Sequence, residues 1–113
     1  MENLVVGIAR FVLRMPANRS LKEKRRVVQK LRDRVGARHN VSVSEIGDQD
    51  EHRRAVFALG MVGSDGRHVE SSLRKILDNI EDLHLAPMVE RQVQVDIWGD
   101  DLAMPGVDVD YRF

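Results

Sequence analysis

The chain has no cysteine, which excludes disulfides, thiolate nucleophiles and thiolate metal sites. Aromatic residues are scarce, three Phe with one Tyr and one Trp, too few for a surface that reads bases by stacking on several rings. Net charge is zero, so no global excess of one sign steers a partner. No uninterrupted apolar run approaches the roughly 20 residues of a membrane span. The opening MENLVVGIARFVLRMP is apolar, but it lacks a basic start, is broken by Arg10 and Arg14, and has no small-residue cleavage pattern. A soluble cytoplasmic protein is the expectation. With 113 residues the chain is long enough for one real core and too short for two.

What is present is charge segregation. Residues 1–40 carry eleven Lys or Arg against three Asp or Glu, a net of +8; residues 41–113 carry seven against fifteen, a net of −8. The positive half is concentrated in one run, RSLKEKRRVVQKLRDRV, over 19–35.

Local pattern places that run in a fold. Leu4 to Leu13 is rich in Val, Ile, Leu and Phe and stops before Pro16, which predicts a strand and then a turn. Ser20 stands three residues before Glu23, the capping-box spacing, so a helix begins there. Leu21, Val27, Val28, Leu31 and Val35 share its apolar face at 100° per residue, and Gly36 to Asn40 ends it. Val41 to Ile46 alternates as a short strand; the polar GDQDEHR connects it, as a hairpin, to a strand over Ala55 to Val62. GSDG at 63–66 is turn chemistry, with Ser64 or Asp65 as the cap of a second helix whose apolar face is Val69, Leu73, Ile76, Leu77 and Ile80. Val93, Val95 and Ile97 mark a fourth strand after Pro87. The order β-α-β-β-α-β predicts an α+β, ferredoxin-like sandwich: a four-stranded antiparallel sheet with both helices on one face. This domain takes residues 1–98; 99–113, where GVDVDYRF alternates, form a tail or an extra edge strand.

Two helices cover only one face of such a sheet, and the other face should be polar. It is not. In the first strand Val5, Gly7, Ala9, Phe11 and Leu13 face the helices, leaving Leu4, Val6, Ile8 and Val12 on the far side with Arg10 and Arg14. The Ala55–Val62 strand places Val56, Ala58, Gly60 and Val62 there too. These are the expected central strands, so the uncovered face carries a contiguous apolar patch. Either the C-terminal segment folds over it, or a partner does. A homodimer through Leu4, Val6, Ile8, Val56 and Ala58 is the symmetric solution.

The basic helix bears on function. Lys22, Arg26, Lys30 and Arg34 follow one another at i,i+4 as an outward stripe, with Arg25 and Arg32 flanking the core edge. Charge runs are usually just solvated. A face tuned for stability alternates signs, however, and three like-charge i,i+4 pairs cost about 0.2–0.5 kcal/mol each, roughly 1 kcal/mol together. Glu23 beside Arg26 and Asp33 beside Lys30 offset part of this. Arg38 and His39 continue the charge to the helix end, where the macrodipole favours it, and Arg14 and Arg19 are placed near the other end. Phosphate binding to RNA or DNA through Lys22, Arg25, Arg26, Lys30, Arg32 and Arg34 is the functional expectation. RAVFALGMV supplies one Phe and no Gly-aromatic signature, so shape and phosphate recognition is expected rather than base stacking.

Catalytic signals are weak. Asp48, Asp50, Glu51 and His52 share one loop and have the chemistry to hold a hard divalent ion, but no EF-hand or HExxH spacing is present, and acidic hairpin loops are ordinarily solvated; no metal site is assigned. His39, His52, His68 and His84 are scattered, Ser20 is explained by capping, and no Gly-rich phosphate loop suggests a nucleotide cofactor.

SLKEKRRVVQKLRDRV, HNVSVSEIGDQD, RAVFALGMV and SDGRHVESSLRKIL, in that order, resemble the YlxP-like family of small bacterial proteins, over about Leu4 to Ile97. The resemblance implies a ferredoxin-like fold and unknown function, with no catalytic residues to carry over. It also implies a gene neighbourhood of transcription elongation factors, translation initiation factors and ribosome-binding factor A, which makes ribosomal RNA or a ribosomal subunit the expected partner. After Trp98 the sequence departs from the family pattern.

Overall fold

The computed structural model describes residues 3–16, 20–47 and 51–99. Arg19, Asp48, Asp50 and residues 100–113 of the predicted 99–113 tail lie outside them.

β-Branched and large apolar residues make Leu4–Arg14 the first strand, β1. Ser20 opens α1, Leu21–Arg38, its Oγ accepting from the backbone N–H of Glu23 at 3.2 Å. That is the bond the Ser-x-x-Glu spacing predicts. The helix runs through Gly36 and ends at His39, where the backbone turns extended. β2 (Ser42–Gly47) and β3 (Arg54–Gly63) form the hairpin. Asp65, not Ser64, caps α2 (Gly66–Asp82): its Oδ1 accepts from the backbone N–H groups of Arg67 at 2.9 Å and His68 at 3.4 Å. β4 is Met88–Gly99.

The strands form one antiparallel sheet in the order β2-β3-β1-β4, with β1 and β3 central as expected. The architecture is the α+β ferredoxin-like arrangement. Val5, Ala9, Phe11 and Leu13 of β1 join Ala55, Phe57 and Leu59 of β3 and the apolar stripes of both helices in a single core. Phe11 and Phe57, directly opposite in register, stack with ring centroids 5.1 Å apart. Gly7 is required by packing: a Cβ there would collide with Val69 and Leu73, so its absence lets α2 descend onto β1. Leu21, placed on the apolar face by periodicity, is 41% exposed instead. It occupies the first turn, at the margin of the stripe.

The uncovered face differs from expectation in extent. Its centre is apolar, with Ile8 50% and Val62 71% exposed. Toward its margins Ser42 and Ser44 on β2, and Gln92, Gln94 and Asp96 on β4, lie across from the central residues in register, while Ile46 on β2 and Trp98 on β4 are exposed apolar residues of the edge strands. Arg10 spans to Glu90 at 3.0 Å. Val56, expected to be available for a partner, is already buried in the monomer, as is its cross-strand neighbour Val12. A register shift between Glu45 and Gly47 brings Gly47 opposite Val56. Of the residues expected to meet a partner, Val56 is thus withdrawn, while Leu4, Val6, Ile8 and Ala58 stay at least partly accessible, with Val62 beside them. Arg14 lies opposite Arg54 in the β1–β3 register.

Candidate nucleic-acid interface

The six cations predicted to form one surface divide into two sets. All six are exposed. Each i,i+4 step advances a row about 40° around a helix, so such a row lies inclined to the axis by roughly 26°. Lys22 and Arg26 point away from the protein, and the row then winds toward α2. By Arg34 it has reached the interhelical side, where Arg34 and Arg38 lie beside Asn79, Ile80 and Leu83. Among the described residues, Lys22, Arg26, Lys30, Arg32 and Arg34 form no ion pair. Asp33, expected to offset Lys30, instead accepts from the Gln29 amide at 2.8 Å.

Arg25 lies on the opposite flank, over β2, with Arg32 on the same side by helical geometry. Its guanidinium grips Glu45 with both amino groups, at 2.8 and 3.5 Å. Glu45 points inward from β2, with a side chain only 6% exposed, and Lys24 reaches its Oε2 at 3.6 Å. Lys24 is fully buried and its Nζ donates to the carbonyl of Glu51. Three elements are thus joined by one ionic cluster: α1, β2 and the start of the segment leading into β3. A charge taken out of water is tolerated only when paired and hydrogen-bonded, and Lys24 is both. The periodicity contained a signal for this, since Lys24 falls between Val27, Val28 and Leu31 on the apolar face. Its carboxylate partner, twenty-one positions on, is supplied by tertiary structure.

The acidic loop holds no described metal site; no cluster of three His, Asp or Glu suited to a metal occurs among the described residues. Glu51 turns back on its own chain. Its carboxylate accepts from the backbone N–H of Arg53 at 2.9 Å, and that bond, then the Arg53 guanidinium, holds its carboxyl below the usual range despite some desolvation. His39 ends α1, His68 lies in the first turn of α2, and His84 follows α2 in the left-handed region with φ 52°. The histidines take separate structural positions.

The element order, sheet topology and capping pattern define a ferredoxin-like α+β domain, and sequence relatives narrow this to one family. The family model described as "Protein of unknown function (DUF503)" matches residues 6–93. The uncharacterised protein YlxP of Bacillus subtilis (strain 168) is 38% identical over 79 residues, covering 70% of this chain and 83% of its own. The chain belongs to this YlxP-like DUF503 family. Among solved structures, a hydantoinase/carbamoylase family amidase from Burkholderia ambifaria aligns over 87% of this chain, which spans only 28% of the amidase. Its TM-score of 0.42 and 14% identity are too low to carry an argument across. No described helix is long and apolar enough to cross a membrane.

Proposed function

We propose that this protein is a non-enzymatic, cytoplasmic RNA- or ribosome-associated factor that holds phosphate backbone on the outer side of α1. One observation carries the reading. Lys22, Arg26, Lys30 and Arg34 are exposed, of one sign, in succession and without ion pairs among the described residues, an arrangement that folding does not require. The contacts are positioning charges, with Arg32 as a flanking contribution; the ion pair to Glu45 limits what Arg25 adds. Four neutralised phosphates on a single strand give a log–log salt slope near −3. Co-sedimentation with ribosomal subunits and binding to poly(U), both across a salt series, test it. A Lys22→Glu, Arg26→Glu, Lys30→Glu protein should lose binding, and wild-type behaviour from that variant would overturn the reading.

The exposure of Ile8 and Val62 on the uncovered sheet face supports a second reading, a homodimer stacked through Leu4, Val6, Ile8, Ala58 and Val62. It is compatible with the first because it uses the opposite side of the molecule. Light scattering should show a dimer that Ile8→Lys converts to monomer; a wild-type monomer at high concentration would exclude it.

A further inference from the structure

We infer that the phosphate track does not end on α1 but crosses onto α2, and that Arg38 and Lys75 hold further phosphates of the same strand in the groove between the helices. This rests on the α1 reading and extends it to a second element. Two adjoining depressions share Arg38 and His39: Arg34 and Asn79 line one, and Asn40, Ser72 and Lys75 the other. Cations from both helices therefore converge with hydroxyl and amide groups between them, and among the described residues no carboxylate lines either depression.

Helix electrostatics account for part of this and leave the rest. The negative end of the α1 macrodipole favours Arg38 and His39 at its last turn. It does not account for Lys75, which stands in the middle of α2. The i−4 and i+4 neighbours of Lys75 are Ser71 and Asn79, both uncharged. Asp78, the carboxylate at i+3, is engaged by Arg91 of β4 at 2.9 Å. Lys75 and Arg38 have no ion pair among the described residues. Like charges gathered at one groove repel, and a bound anion relieves that repulsion.

The shape of the charge selects the anion. From Lys22 to Arg38 the row extends ~24 Å along α1 while turning about 160° around it, and its end delivers the charge to Lys75. A repeating polyanion matches this; a single small anion would use only one end. Arginine guanidinium groups suit the planar, two-oxygen face of a phosphodiester, and Ser72, Asn40 and Asn79 offer neutral donors for phosphate or ribose oxygens.

The test compares groove and stripe variants in poly(U) binding by the full chain, across a salt series. Adding Arg38 and Lys75 to the four stripe cations raises the expected slope from about −3 to about −4. Arg38→Gln with Lys75→Gln should return it to about −3 and weaken binding on the order of tenfold at physiological salt. Arg74→Gln, which removes an α2 cation already paired to Glu70 at 3.1 Å, should change neither, and Lys75→Arg should retain binding. All the groove positions substituted are exposed, so loss of fold is not expected, and circular dichroism checks this. A groove variant with wild-type slope and affinity, alongside loss of binding in a Lys22→Gln, Arg26→Gln, Lys30→Gln protein, would overturn the groove and leave the α1 reading standing. No binding by the wild-type chain would overturn both.

Discussion

The two helices cover the same sheet but treat their charges in opposite ways. Within α1 there are eight Lys or Arg against two Asp or Glu; within α2 there are three against four. On α2, Arg74 pairs with Glu70 one turn away, and Asp78 and Glu81 both meet Arg91 from β4 at 2.9 and 3.5 Å. On α1, the cations that find described carboxylates are those directed toward the sheet, Lys24 and Arg25, which share Glu45. The outward ones do not. Charges that meet opposite partners, as Glu70, Arg74, Asp78 and Glu81 of α2 do, are explained by the pairing itself. A one-sign surface is a cost to the folded state, offset when something anionic meets it.

The sharpest way to break the comparison is to attack the inward cations of α1. Glu45→Ala removes the carboxylate that the buried Lys24 shares with Arg25 and should destabilise the protein by about 3–5 kcal/mol in denaturant unfolding. Lys24→Met, which replaces the buried charge with an apolar chain of similar length, should cost far less. A loss in Lys24→Met that exceeds the loss in Glu45→Ala would place the stabilisation in the Lys24–Glu51 carbonyl bond instead.

A smaller effect of opposite sign is expected outside. Arg26→Gln with Lys30→Gln removes like-charge contacts along the row and should leave stability unchanged or raise it by up to about 1 kcal/mol, while reducing the salt slope of RNA binding by about 1.4. A marked drop in melting temperature would make these residues structural and erase the distinction between the helices. On the α2 side, Arg91→Gln loses two partly exposed ion pairs and should cost about 0.2–1 kcal/mol, with RNA binding unaffected.

The smallest effect is in the loop. Glu51 titrates below its usual 4.5 in the folded protein because of the Arg53 N–H, so its contribution is present above that value and disappears as pH falls through the lowered one. Wild type and Glu51→Gln should therefore differ slightly at neutral pH and converge only in acid melts that reach below the lowered value. A difference that persists there would assign the effect to something other than this carboxylate.

Much of this molecule could be read directly. The Ser20–Glu23 spacing predicts the start of α1, and the stripe from Val69 to Ile80 predicts the buried face of α2; both depend on contacts within a few residues or on a fixed helical period. Two central strands followed from their two-sided apolarity. Where local pattern failed, the deciding partner was distant. Leu21 obeys the period but sits at the margin of the stripe, and Val56 alternates outward but is buried where the register shifts beside Gly47. Lys24 looked like one more member of a basic run until Glu45 and the Glu51 carbonyl enclosed it.

The amino-acid order by itself determined the element sequence, the caps, the apolar faces and the excess of positive charge on α1, because each is set by local geometry and side-chain chemistry. Tertiary structure alone decided which of those charges are used up and which remain. It did so by bringing β2 beneath one flank of α1 and α2 beside the other. That placement turns a uniform basic run into a buried ionic anchor on one side and, on the other, an inclined row of cations that are unpaired among the described residues and lead toward Lys75.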